Sequence, residues 1–248
     1  MTIEDSAIVA NRAGRDGGAI QLDSASLSIN NSEISENLGA MIGAITYGGG
    51  IAVLAESGDA DLSVNNSTIS GNFVRNGGGI SAWVSAGHTF NLSLSHCTIA
   101  GNAIESGGAG SGLYTFVDTS GTFQLDVANC IIANGAMGGN FQADGSGTVT
   151  INRAFTLLQD STLPDGGING NIDNADPLLG ALKDYGGFTR TQAPFAASPA
   201  VDAGDPAFIV PPNFDQRGSG FPRLLNGRLD IGAHESFLPL YLPIATVR

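Results

Sequence analysis

The chain has 248 residues, with 10 basic against 23 acidic side chains and a formal net charge of −13. That sign opposes nucleic acid, anionic membrane surfaces and polyanionic substrates such as pectate, whose binding rests on Lys and Arg; Lys183 is the one lysine. Glycine at 36 positions, with 42% hydrophobic and 13% charged residues, suits tightly stacked turns rather than disorder.

One short phrase recurs from the first residues onward. It reads IEDSAIVAN from Ile3, INNSEISEN from Ile29, VNNSTISGN from Val64, LSHCTIAGN from Leu94 and VANCIIANG from Val127. The aligned isoleucines are Ile8, Ile34, Ile69, Ile99 and Ile132, at steps of 26, 35, 30 and 33 residues. A second phrase, GGAI, GGGI, GGGI and GSGL, ends at Ile20, Ile51, Ile80 and Leu113. Periods of this size signal a solenoid. The units hold short alternating apolar runs such as Leu62-x-Val64, broken by Gly, Asn and Ser, without helical spacing.

The expectation is an all-β, right-handed parallel β-helix, with a β-sandwich as the runner-up. Coils about 4.8 Å apart would place equivalent residues directly over one another. The isoleucines become an internal stack, and Asn11, Asn37, Asn72 and Asn102 become an asparagine ladder bonding along the axis. Gly48 to Gly50 and Gly77 to Gly79 supply positive-φ corners. Cys97 and Cys130 occupy the slot held earlier by Ser6, Ser32 and Ser67, close enough for a disulfide or for two buried thiols.

If Ile20, Ile51, Ile80 and Leu113 point inward, alternation sends Trp83, Tyr114 and Phe116 outward on one sheet. Such an aromatic platform is the candidate ligand site, for a sugar ring or a partner protein, unless the C-terminal module or tail packs over it. His96 replaces Asn31, Asn66 and Asn129 and continues a polar stack, while His88 lies in a turn. Asp59 and Asp61 read as a solvated turn rather than a calcium site. No metal set, cofactor motif or activated nucleophile is legible, so no catalytic or metal residue is assigned.

The coils are predicted over 1–160, a C-terminal module over 161–236 packed on the end of the helix, and a Leu/Pro tail over 237–248. The acidic residues Asp202, Asp205, Asp215, Asp230 and Glu235 have two readings. They are either a paired-carboxylate site or turn formers pinned by Arg217, the latter favoured.

The module carries Asp176-Pro177-Leu178-Leu179-Gly180, then DYGGFTRT from Asp184 to Thr191, then SPAVDAG from Ser198 to Gly204. Asp215-Gln216-Arg217-Gly218, Pro222-Arg223 and DIGAHE from Asp230 to Glu235 follow. In order and spacing this segment of about 60 residues resembles the choice-of-anchor Q domain of bacterial surface β-helix proteins, which have a pectate-lyase-like fold. The resemblance implies a secreted or surface-displayed protein with no established enzymatic activity. His234, where the family has Phe, and the short apolar stretch from Ala207 to Asn213 depart from its pattern. The tail FLPLYLPIATVR resembles short Leu-Pro tails of exported bacterial proteins; it reads either as an attachment signal or as an edge segment.

No signal peptide is visible and the longest apolar run, Phe237 to Val247, is too short to span a membrane. The first coil is uncapped, so self-association through it, or a longer precursor, is expected. The functional expectation is a non-enzymatic extracellular or cell-surface scaffold for adhesion or binding. The alternatives are a carbohydrate-active enzyme on the same scaffold and a self-stacking structural protein.

Overall fold

The computed structural model describes residues 1–39, 46–135, 137–160, 162–163, 170–225 and 227–236. The described residues are all-β, and the sheets are parallel throughout. A six-stranded sheet stacks Thr2–Glu4, Ser26–Asn30, Ala60–Asn65, Thr89–Ser95, Thr122–Ala128 and Thr148–Ala154. A five-stranded sheet stacks Ile20–Asp23, Ile51–Ala55, Ile80–Val84, Leu113–Val117 and Phe141–Gly145. A seven-stranded sheet runs from Ala7–Val9 through Glu33–Ser35, Thr68–Ser70, Thr98–Ala100, Ile131–Ala133 and Leu157–Leu158 to Ile172–Asp173. Each strand pairs with its counterpart one coil away, which is the arrangement of a parallel β-helix.

Register puts Ile8, Ile34, Ile69, Ile99 and Ile132 in one column, and the last four are essentially inaccessible to water. Leu27, Leu62, Leu92 and Leu125 form a parallel column on the six-stranded sheet. Phe90 and Phe123 stack at 5.4 Å inside the same core. Fully burying an aliphatic side chain contributes roughly 1.5–3 kcal/mol. The columns are therefore the main favourable term, and the side-chain period of two makes a register slip costly.

The asparagine ladder is present. Asn11 Nδ2 donates to Asn37 Oδ1 at 3.1 Å, Asn37 to Asn72 at 2.9 Å and Asn72 to Asn102 at 2.9 Å. The same oxygens also accept the backbone N–H of Asn11, Asn37 and Asn72. The stack ends where Gly135 follows Asn102, because a Cβ there would lie 1.7 Å from Ser111 Oγ.

The glycine triplets divide their work. Only Gly48 and Gly77 have positive φ, each 68°. Gly49 and Gly50 have ordinary φ but lie against the next coil, where a Cβ would stand 2.5 and 2.7 Å from the carbonyls of Gly78 and Gly79. The expectation of positive-φ corners throughout the triplets therefore holds at one residue of each; close backbone approach explains the others.

Beyond the last coil strand, Ile172–Asp173, the chain turns back along the flank of the coils and is not packed on the end of the stack as expected. The reason is the outward column Glu33, Thr68, Thr98, Ile131 and Leu157 of the seven-stranded sheet, which is buried along its length. Arg190 clamps Glu33 through its backbone N–H and guanidinium, and Thr68 Oγ1 donates to Gln216 Oε1 at 2.6 Å. Ala233 N–H donates to Thr98 Oγ1 at 3.0 Å. Ile131 and Leu157 cluster with Ala200 and Ile231. The tail 237–248 lies outside the described residues.

Candidate functional site: the uncovered sheet faces

With the seven-stranded sheet covered, the five- and six-stranded sheets present the remaining long faces. On the five-stranded sheet, register aligns Asp23, Leu54, Trp83, Phe116 and Asp144 in one outward row. The adjacent outward row is Gln21, Ala52, Ser81, Tyr114 and Gln142. Trp83, Tyr114 and Phe116 thus share the predicted face, and the described part of the C-terminal module packs on a different sheet.

Their arrangement differs from a flat platform in two ways. Trp83 and Phe116 stack with centroids 4.4 Å apart and planes 20° apart. Since they occupy equivalent positions one coil apart, their faces meet each other along the axis, and the stack turns ring edges toward solvent. Tyr114 is 8% exposed, because Tyr47 lies parallel to it at 5.8 Å. Tyr47 also meets Trp83 edge-on at 5.9 Å. Only Trp83 and Phe116 of the three candidates remain half-exposed.

Tyr47 was missed because it lies outside the strand alternation. Its position just before the Gly48 triplet, as Asn76 stands before Gly77, was the available signal. Its backbone N–H donates to Asp16 at 2.8 Å. The Tyr114 hydroxyl donates to Asp144 Oδ2 at 3.1 Å, and Gln142 Nε2 donates to Asp144 Oδ1 at 2.7 Å. Burial first, then Asp16 for Tyr47 and Asp144 for Tyr114, pushes both phenols above their ordinary values, so both stay protonated.

The six-stranded sheet presents a polar face. Outward columns carry Ser26, Asp61, Asn91, Gln124 and Thr150, and beside them Ser28, Ser63, Ser93, Asp126 and Asn152. Two adjoining grooves of about 360 and 300 Å³ share Ser93 and Asp126. Asp61 accepts from Ser26 and Asn91, both at 2.9 Å, and Asp126 accepts from Asn152 at 2.7 Å. Asp59 accepts the Thr89 N–H and faces His88 at 3.8 Å. Among the described residues no set of His, Cys, Asp and Glu could hold a metal ion.

The acidic residues of the C-terminal segment behave as turn formers. Asp176, Asp184, Asp205 and Asp215 each accept the N–H two residues on, from Leu178, Gly186, Ala207 and Arg217. Asp215, fully buried, also holds the Arg217 guanidinium and the Glu235 N–H. Asp230 accepts from Asp202 and Ser236 N–H groups, and Glu235 accepts from Asp230 N–H. Burial and the neighbouring Asp230 push Glu235 up to about 8. His234 is bonded to Thr191 at 2.9 Å; burial, then Arg217, lowers it to about 4. Asp215, Asp230 and Glu235 are buried and turned on one another and on backbone N–H groups, so they form no open carboxylate pair.

His96 continues the polar corner: Asn31, Asn66, His96 and Asn129 share positive φ of 49, 51, 54 and 52°. Cys97 and Cys130 are free, buried thiols in successive coils, with the Cys97 N–H donating to Cys130 Sγ at 3.2 Å. No described helix is long and apolar enough to cross a membrane. No family model, curated protein or solved structure matches the chain.

Proposed function

We propose that the protein is a secreted or cell-surface β-helical scaffold that binds carbohydrate or a partner protein along its coils, and is not a catalyst. Its C-terminal segment is read as a choice-of-anchor Q-like module. The observation that carries the reading is the division of labour among the sheets. The segment's buried carboxylates are spent on backbone N–H groups and arginines, while Trp83, Phe116 and the polar grooves stay open to solvent. Open aromatic and hydroxyl-lined surfaces on a rigid coil stack suit binding.

Glycan-array binding of the wild type and of Trp83→Ala and Ser63→Trp tests the carbohydrate arm. Binding lost on filling the groove with Ser63→Trp assigns sugar to the polar face; loss with Trp83→Ala assigns it to the aromatic face. Absence of any glycan signal, together with no retention on cell-surface protein extracts, would sink the binding reading.

The enzymatic alternative would rest on the one pair of carboxylates that line the larger polar groove. Asp61 and Asp126 both line the larger groove, two strands apart and offset by two residues along the strands, or about 12 Å at sheet spacing. That is wider than the separation of about 6.5–9.5 Å used by inverting glycosidases, which favours the scaffold reading. Release of reducing ends from neutral polysaccharides, abolished in Asp61→Asn and Asp126→Asn, would establish it in place of the scaffold reading.

A further inference from the structure

We infer that the row Asp23, Leu54, Trp83, Phe116 and Asp144 is a docking strip for a protein segment with an apolar centre and basic residues on either side. This rests on the binding reading above and names the partner class for the aromatic face. The row is apolar in the middle, half-buried at Leu54, Trp83 and Phe116, and ends on exposed carboxylates at both extremes. Glu56 and Asp118 stand two residues beyond Leu54 and Phe116, at the strand ends beside the strip. One opposite charge, Arg75, acts on Tyr47 at the other border.

Stacking argues against a sugar at this place. Saccharide rings pack their C–H faces on aromatic faces, and here the faces of Trp83 and Phe116 are turned on each other. What reaches solvent is a ridge of ring edges with Leu54, which is apolar contact area rather than a stacking plane. Charge complementarity then selects the occupant: a chain at −13 with carboxylates framing the strip repels acidic partners and steers basic ones. The end carboxylates are four coil steps apart, about 19 Å. An extended segment covers that length in about six residues, so its basic groups belong about six positions apart with apolar residues between.

The test uses the whole chain and a synthetic peptide with lysine at each end, six positions apart, and Leu-Trp-Leu at its centre. A twin peptide carries glutamate in place of lysine. Calorimetry should give binding for the lysine peptide that weakens at least about tenfold in Trp83→Ala, severalfold in Asp144→Asn and Asp23→Asn, and with added salt. Trp83→Leu, which keeps apolar volume, guards against a folding defect, and circular dichroism checks each variant. Equal binding of the glutamate twin, or unchanged affinity in Trp83→Ala and Asp144→Asn, overturns the proposal. Those outcomes leave glycan binding by the polar face untouched, so the two readings fail separately.

Discussion

His96 follows Asn66 in the left-handed corner stack, and the buried Asn66 Oδ1 accepts no hydrogen bond. One coil earlier the stack is an amide pair, with Asn66 Nδ2 donating to Asn31 Oδ1 at 2.8 Å. Imidazole at 96 instead bonds the neighbouring Ser95 Oγ at 2.8 Å through Nδ1, makes a long 3.4 Å contact with Asn129 and packs edge-on against Phe208.

His96→Asn should therefore stabilise the fold. Asn tolerates φ near 54° better than most residues, and its amide would offer Asn66 Oδ1 the missing donor. Satisfying a buried acceptor contributes about 1 kcal/mol, less the lost Phe208 packing. Burial holds the His96 pKa at about 3, below its ordinary 6.5. Its contribution is present above pH 6.5 and is lost as pH falls toward 3. The variant should raise the urea midpoint at pH 7 and widen its advantage at pH 5; a lower midpoint at both would show that Phe208 packing dominates.

The asparagine ladder predicts a position-dependent cost. Asn72 donates to Asn102 Oδ1 and the Ile34 carbonyl and accepts from the Asn37 amide and backbone N–H. Asn72→Ala strands several buried groups and should cost on the order of 3 kcal/mol. Asn11 is exposed, and Asn11→Ala should cost under about 1 kcal/mol. Denaturant unfolding of the two variants decides; equal losses would mean the ladder bonds do not act as a buried network.

The ladder and the isoleucine column were legible because stacked coils repeat each chemical requirement once per turn, so Ile34, Ile69 and Ile99 announce one another. The outward alternation of Trp83 and Phe116 followed from the same period. Ring orientation did not, since parity gives the side of the sheet and not the plane of the ring. Tyr47 and the flank position of the C-terminal segment were hidden for a related reason. Arg190 and Glu33 are 157 residues apart and Tyr47 belongs to no strand, so neither repeats. The buried outward column was the overlooked signal: Glu33, Thr68, Thr98 and Ile131 are equivalent positions that change from charged to apolar, as a surface meeting a non-repeating partner does.

Cys97 and Cys130 should behave as thiols. Each is fully buried, and burial opposes ionisation of the pair, so the thiolate needed for exchange is scarce. Intact mass should not change on reduction, and iodoacetamide should modify neither residue until denaturant is added. A gain of about 2 Da on reduction would show a disulfide instead.

The carboxylate cluster makes the pH response two-sided. Asp215, Asp230 and Glu235 surround the buried Arg223, with Arg217 on Asp215. Two guanidiniums balance two carboxylates if Glu235 keeps its proton, in line with its rise from 4.5 to about 8. A folded pKa above the unfolded one means that the folded chain binds the extra proton. The contribution is full below pH 4.5 and is lost as pH rises through about 8. His234, lowered to about 4, acts oppositely: its contribution is present above pH 6.5 and falls away toward pH 4. Between pH 7 and 8.5 His96 and His234 stay neutral and add no slope to that of Glu235. Wild type should lose on the order of 1 kcal/mol across that window. Glu235→Gln keeps a side-chain oxygen for the Asp230 N–H and should show a flatter dependence, with His234→Gln serving as the acid-side control. Parallel stability curves for wild type and Glu235→Gln over pH 7 to 8.5 would place the extra proton elsewhere in the cluster, with Asp230, also raised by burial, the next carboxyl to replace.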